Sequence, residues 1–93
     1  MHKHKIEDKL LKILKKIELK DKNKFEIIIK KINEIINCKS VNHYKNLKKP
    51  IQKYKRVHID SNFVLLFKYE NEIIYFCKLN HHDDIYTQTQ KSL

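Results

Sequence analysis

Glycine, alanine and tryptophan are absent from this 93-residue chain, and proline occurs once, at Pro50. Without Gly, a tight turn that needs a left-handed backbone must fall back on Asn, the next most tolerant residue. No apolar run approaches the roughly 18 residues of a membrane-spanning helix. The longest, Phe63-Val64-Leu65-Leu66-Phe67, has strand length. The opening Met1-His2-Lys3-His4-Lys5 enters a charged segment without the apolar stretch of a signal peptide, so a soluble cytoplasmic protein is expected. Cys38 and Cys77 are the only cysteines and show no CxxC spacing. Each reads as a small buried apolar residue in a reducing compartment, not as part of a disulfide framework. The length leaves no room for a second core, which predicts one domain over residues 1–86 and a polar tail over 87–93.

What is present is positive charge, unevenly placed. The formal net charge is +10. Residues 1–42, 43–59 and 60–93 carry +6, +6 and −2, and the middle stretch contains no acid at all. AT-rich coding accounts for abundant Lys, Ile and Asn, but not for the disappearance of acids from 17 consecutive residues. A local basic patch suits a polyanionic partner, because neutralising phosphates releases counterions.

Apolar spacing organises the rest. Leu10, Leu11, Ile13, Leu14 and Ile17 predict a helix over about Asp8–Glu18. Phe25, Ile28, Ile29, Ile32, Ile35 and Ile36 predict a second over about Lys22–Asn37, with Asp21 as its cap and three or four residues between the two. Residues 39–53 read as loop. Strands follow over about Tyr54–Ile59, Phe63–Tyr69 and Ile73–Leu79, divided by the turn-like Asp60-Ser61-Asn62 and Glu70-Asn71-Glu72. Lys3–Ile6 offers a weak further strand. The order β-α-α-β-β-β predicts an α+β domain, a helix hairpin on a small, mainly antiparallel sheet.

Two groups of residues suggest chemistry. Alternation along Tyr54–Ile59 puts Tyr54, Arg56 and His58 on one face and Lys55, Val57 and Ile59 on the other. The second set suits the core, and the first offers cations and a ring to RNA. The second group is Asn80-His81-His82-Asp83-Asp84-Ile85-Tyr86. Adjacent histidines in extended chain point to opposite sides, so His81 and His82 do not readily share a metal ion, and no metal or cofactor is expected. Proton transfer is the alternative, since histidine titrates near neutrality, while His81 and Asp83 also fit a purely structural strand end.

His43-Tyr44-Lys45-Asn46-Leu47, Tyr54-Lys55-Arg56-Val57-His58-Ile59, the strand Phe63–Tyr69 and the terminal His81-His82-Asp83-Asp84-Ile85-Tyr86 together resemble the RelE/ParE superfamily of toxins. Within it the likeness is to YafQ-like and archaeal RelE-like members. The resemblance implies a microbial-RNase-like fold and an endoribonuclease that cuts mRNA, usually in the ribosomal A site. It also implies a co-expressed antitoxin, and a cleft this basic suits an acidic, partly disordered one. His82 corresponds to a catalytic histidine, Tyr86 to the C-terminal aromatic of the site and His58 to the histidine of the basic strand, with Arg56 and Asp84 completing the catalytic set. Lys45, Lys48, Lys53, Lys55 and His43 would contact RNA. The family's acidic position falls on Asn62, with Asp60 nearby, and a loop histidine falls on Lys45, with His43 two residues away. Two other functions stay open on this reading, a ParE-like gyrase inhibitor and a non-catalytic RNA- or ribosome-binding or decayed toxin.

Overall fold

The computed structural model describes residues 1–47 and 53–81. Its elements are β1 (Lys3–Ile6), α1 (Asp8–Lys20), α2 (Lys22–Ile36), a 3-10 turn (Val41–His43), β2 (Lys55–His58), β3 (Phe63–Glu70) and β4 (Ile73–His81). The β-α-α-β-β-β order is the expected one. The sheet runs β1-β4-β3-β2, with β1 parallel to β4 and the other pairs antiparallel. No helix among the described residues is long and apolar enough to cross a membrane.

The helices meet more tightly than three or four linking residues would allow. Asp21 alone separates them: its N–H donates to the Ile17 carbonyl at 2.7 Å, and its side chain accepts from the Lys24 N–H at 3.1 Å. One residue thus closes α1 and caps α2. Of the apolar stripe on α1, Leu10 and Leu14 are fully buried, while Leu11 and Ile13 remain exposed at its flanks. On α2, Ile28, Ile32, Ile35 and Ile36 face inward. These residues cover one sheet face, where Leu65, Phe67, Ile74, Phe76 and Leu79 complete the core. Burial of large aromatics such as Phe67 and Phe76 contributes on the order of 3 kcal/mol each.

β1 has a single apolar residue, Ile6, and owes its strand form to its neighbours. It pairs with β4 from Lys3↔Ile73 to Ile6↔Phe76, and the Glu7 N–H extends the ladder to the Phe76 carbonyl at 2.9 Å. The His2 N–H donates to the Ile36 carbonyl at 2.8 Å, and its Nε2 lies 2.6 Å from the Cys38 carbonyl oxygen, so the chain start is fastened to the end of α2.

The two turns replace glycine differently. In the β3–β4 turn, Asn71 (φ 51°) and Glu72 (φ 62°) both adopt the left-handed conformation that a two-residue hairpin of this kind demands. Asn tolerates it; Glu does so at a cost of about 1 kcal/mol. In the β2–β3 turn, Asp60 Oδ1 accepts from the N–H groups of Asn62 (2.8 Å) and Phe63 (2.9 Å).

β4 also contains an irregularity. Leu66 pairs with Lys78 but Phe67 with Phe76, which leaves Cys77 as an extra residue. The side-chain alternation therefore changes phase at Cys77. Phe76 and Leu79, three positions apart, both enter the core, and Tyr75 and Lys78 both emerge on the opposite face.

Candidate nucleic-acid interface

The sheet face away from the helices gathers the basic residues. Arg56, Leu66 and Lys78 form one cross-strand row, and His58, Val64 and Asn80 the next. Paired residues on neighbouring strands share a face. The neighbours of Arg56 and His58 confirm their direction: Lys55 and Ile59 are buried beneath the sheet, and Val57 packs on the core. His58 is exposed at the end of β2 and Arg56 is half-buried. Further along the same face come Lys68, Tyr75 and Lys5, then Glu70, Ile73 and Lys3. Among the described strand residues Glu70 is the one acid on this surface, against Lys3, Lys5, Arg56, Lys68 and Lys78.

Tyr54 is not an open stacking ring. It packs with Leu47, Val64 and Leu66 in a small second apolar cluster, and the ammonium groups of Lys53 and Lys78 sit 5.3 and 5.5 Å from its ring centre. That cluster lays the linker across part of the outer face. The Leu47 N–H donates to the Tyr54 carbonyl at 2.9 Å, and the Arg56 N–H to the Lys45 carbonyl at 3.2 Å. Lys45 and Lys53 project to solvent beside this cluster.

Lys55 corrects the expectation of an RNA-contacting side chain. Only 8% of its surface is accessible. Its ammonium donates to the Tyr44 carbonyl (3.1 Å) and to Asn46 Oδ1 (2.8 Å), and so holds the linker instead of reaching outward. His43 is exposed on the 3-10 turn, its ring edge-on to Tyr44, which in turn meets Phe67 in the core. That contact ties it to the helix side of the sheet, not to the basic face. Asp60, the acid nearest to Asn62, is committed to its turn. The Asn62 N–H above all, with the Phe63 N–H and the Lys24 ammonium at 3.7 Å, holds its carboxyl below the usual aspartate range. His81 closes β4 with its ring edge-on to Phe63, a structural contact. Lys48, His82, Asp84, Tyr86 and the 87–93 tail lie outside the described residues.

Sequence reasoning missed Lys3, Lys5, Lys68, Lys78 and Tyr75. Alternation within β3 does point to Lys68. For Tyr75 and Lys78 the bulge hides the relation, and for Lys3 and Lys5 the parallel pairing with β4 does.

Two helices against one face of a four-stranded mixed sheet form the fold of the YafQ toxins. Escherichia coli YafQ superposes with a TM-score of 0.61 at 16% identity, covering 92% of this chain and 99% of that one. The YafQ of the E. coli DinJ–YafQ complex gives 0.60 at 17%, with the same coverage. A mutant toxin from Helicobacter pylori gives 0.63 at 16%, covering 91% and 99%. No protein-family model matches the chain. Sequence relatives carry the assignment further. A protein named as toxin RelE4 in Methanocaldococcus jannaschii is 43% identical over 88 residues, 92% of each chain. An uncharacterized protein of Methanosarcina mazei is 40% identical over 84 residues, 88% of this chain and 95% of its own. The chain belongs to the RelE family of toxins.

Proposed function

We propose that this toxin is an endoribonuclease that binds mRNA, with the ribosome, on its basic sheet face and cuts it by 2′-hydroxyl attack. The observation that carries the reading is the exposed His58 beside Arg56 on a face where lysines predominate. Cleavage of this kind needs a base to take the 2′-hydroxyl proton and an acid to protonate the departing 5′-oxygen. The 2′-oxygen–phosphorus bond forms as the 5′-oxygen–phosphorus bond breaks, leaving a cyclic phosphate and a 5′-hydroxyl. His58 and His82 are the proposed acid–base pair. Arg56 meets the charge on the phosphoryl oxygens, Tyr86 and Asp84 complete the site, and Lys45, Lys48 and Lys53 hold flanking phosphates. No metal or cofactor is required by this scheme. The proposed partner that silences the toxin in the cytoplasm is an acidic antitoxin, in keeping with the solved DinJ–YafQ complex.

A second reading, a ribosome- or RNA-binding protein without catalysis, is favoured by one observation: Asn62 carries no acid and the carboxylate of Asp60 is held in its turn. Incubating the purified protein with translating ribosomes and mapping mRNA ends separates the two. New ends bearing a 5′-hydroxyl, lost in His58→Ala/His82→Ala, are the expected result. Intact messages with the wild-type protein would refute cleavage.

A further inference from the structure

Tyr75 stands in the open face with a lysine on each side. Its chain neighbours Ile74 and Phe76 are completely buried, so its own ring points the other way, and it is half exposed. Among the described residues it packs on neither apolar cluster. Register places Lys5 of β1 and Lys68 of β3 directly beside it, and the Lys68 ammonium lies 5.9 Å from its ring centre. The mount is rigid. Cys77 Sγ lies 3.2 Å from the Tyr75 carbonyl oxygen as its hydrogen-bond donor, and the next carbonyl, that of Phe76, takes the Glu7 N–H.

We propose that the Lys5–Tyr75–Lys68 row is a second nucleotide subsite, in which the Tyr75 ring stacks on a base and the two ammonium groups take the phosphates on either side. The inference rests on the RNA-binding reading above and extends it to the strand flanking the cleavage position. An aromatic platform between cations is the arrangement that holds single-stranded nucleic acid without reading its sequence. Along β3 the row is two residues beyond the Arg56–Leu66–Lys78 row and four beyond that of His58, about 7 and 14 Å at the usual strand rise. One RNA strand can cross both. Of the exposed large apolar side chains, Leu11, Ile13, Leu19 and Ile27 lie on the helix layer, so an apolar protein contact belongs there and not on this patch.

The test uses the full chain and fluorescein-labelled single-stranded RNA, 2′-O-methylated throughout so that it cannot be cut, in anisotropy titrations. One oligonucleotide spans only the His58 and Arg56 rows, and a longer one reaches Tyr75. Tyr75→Leu should weaken the longer RNA about tenfold, with Tyr75→Phe restoring it, and should leave the shorter RNA unchanged. Lys5→Ala/Lys68→Ala should reduce the slope of log K against log salt by about 1.4, two phosphates' worth on a single strand. Urea midpoints of the variants verify that they are folded. If the longer RNA binds wild type and all variants alike, the subsite is wrong while RNA binding stands. If wild type binds neither RNA, the proposed function fails and takes the subsite with it. Loss of an acidic peptide's binding in Tyr75→Leu, with RNA binding intact, makes the row a protein contact and also overturns the proposal.

Discussion

Replacing Lys55 with methionine tests whether a lysine of the acid-free stretch serves RNA or the fold. Methionine keeps the apolar stem in its buried place but removes the ammonium that bonds Tyr44 and Asn46. Each hydrogen bond to a charged group contributes roughly 1.5–3 kcal/mol. Asn46 is exposed, so water replaces its lost donor and that bond is discounted. The Tyr44 carbonyl loses its charged donor with less access to water, and removal of a desolvated charge offsets part of the loss. The net cost is about 2 kcal/mol. In a domain of this size that lowers the melting temperature by about 10 °C. Urea unfolding followed by circular dichroism should show a lower midpoint with an unchanged slope. Lys53→Met, two residues away and exposed, should stay within about 0.5 kcal/mol of wild type. The reasoning is refuted if Lys55→Met unfolds like wild type while the salt dependence of RNA binding drops by one phosphate contact.

Two further outcomes follow from local geometry. Glu72→Gly should raise the urea midpoint by up to about 1 kcal/mol of stability, because Gly adopts the left-handed conformation freely and Asn-Gly suits this hairpin; a lower midpoint would count against strain at Glu72. Burial, reinforced by the Glu7 carboxylate, pushes the Cys77 thiol up to about 11, so at pH 8 a thiol reagent should label half-buried Cys38 first and Cys77 only on unfolding. The same raised value means that the neutral thiol favours the folded state. That contribution is intact below pH 9 and lost as the pH climbs towards 11, which a urea-midpoint series over this range will register.

The helices and the β2–β3–β4 meander were legible because each carries its period in its own residues. The α2 isoleucines and the Val64–Phe67 run need no tertiary information to be placed. The outward direction of Arg56 and His58 was legible for the same reason. What escaped depended on partners distant in sequence. Alternation already turns Lys55 towards the core, but the Tyr44 carbonyl that its ammonium bonds there lies eleven residues back and is not legible in the sequence. Tyr75 and Lys78 appear to lie on opposite faces until Cys77 bulges, and Lys3 and Lys5 join the basic face only through a strand 70 residues away. Tyr54 has the composition of a stacking residue, yet Leu47 and Val64 enclose it.

The parallel pairing of β1 with β4 also has a kinetic side. The helical hairpin and the β3–β4 turn form from nearby residues, but Lys3 meets Ile73 only after a 70-residue loop has closed. Such closure carries an entropic cost of about 4 kcal/mol on the logarithmic scaling of loop length, before any strand contact offsets it. Lys5 is thus delivered to its place beside Tyr75 by one of the least local contacts in the chain. Without β4, β2 and β3 still pair and carry Arg56, His58 and Lys68, but Lys3 and Lys5 have no strand to hold them. The Lys3–Lys5 edge of the basic face therefore comes together only when β1 finds β4.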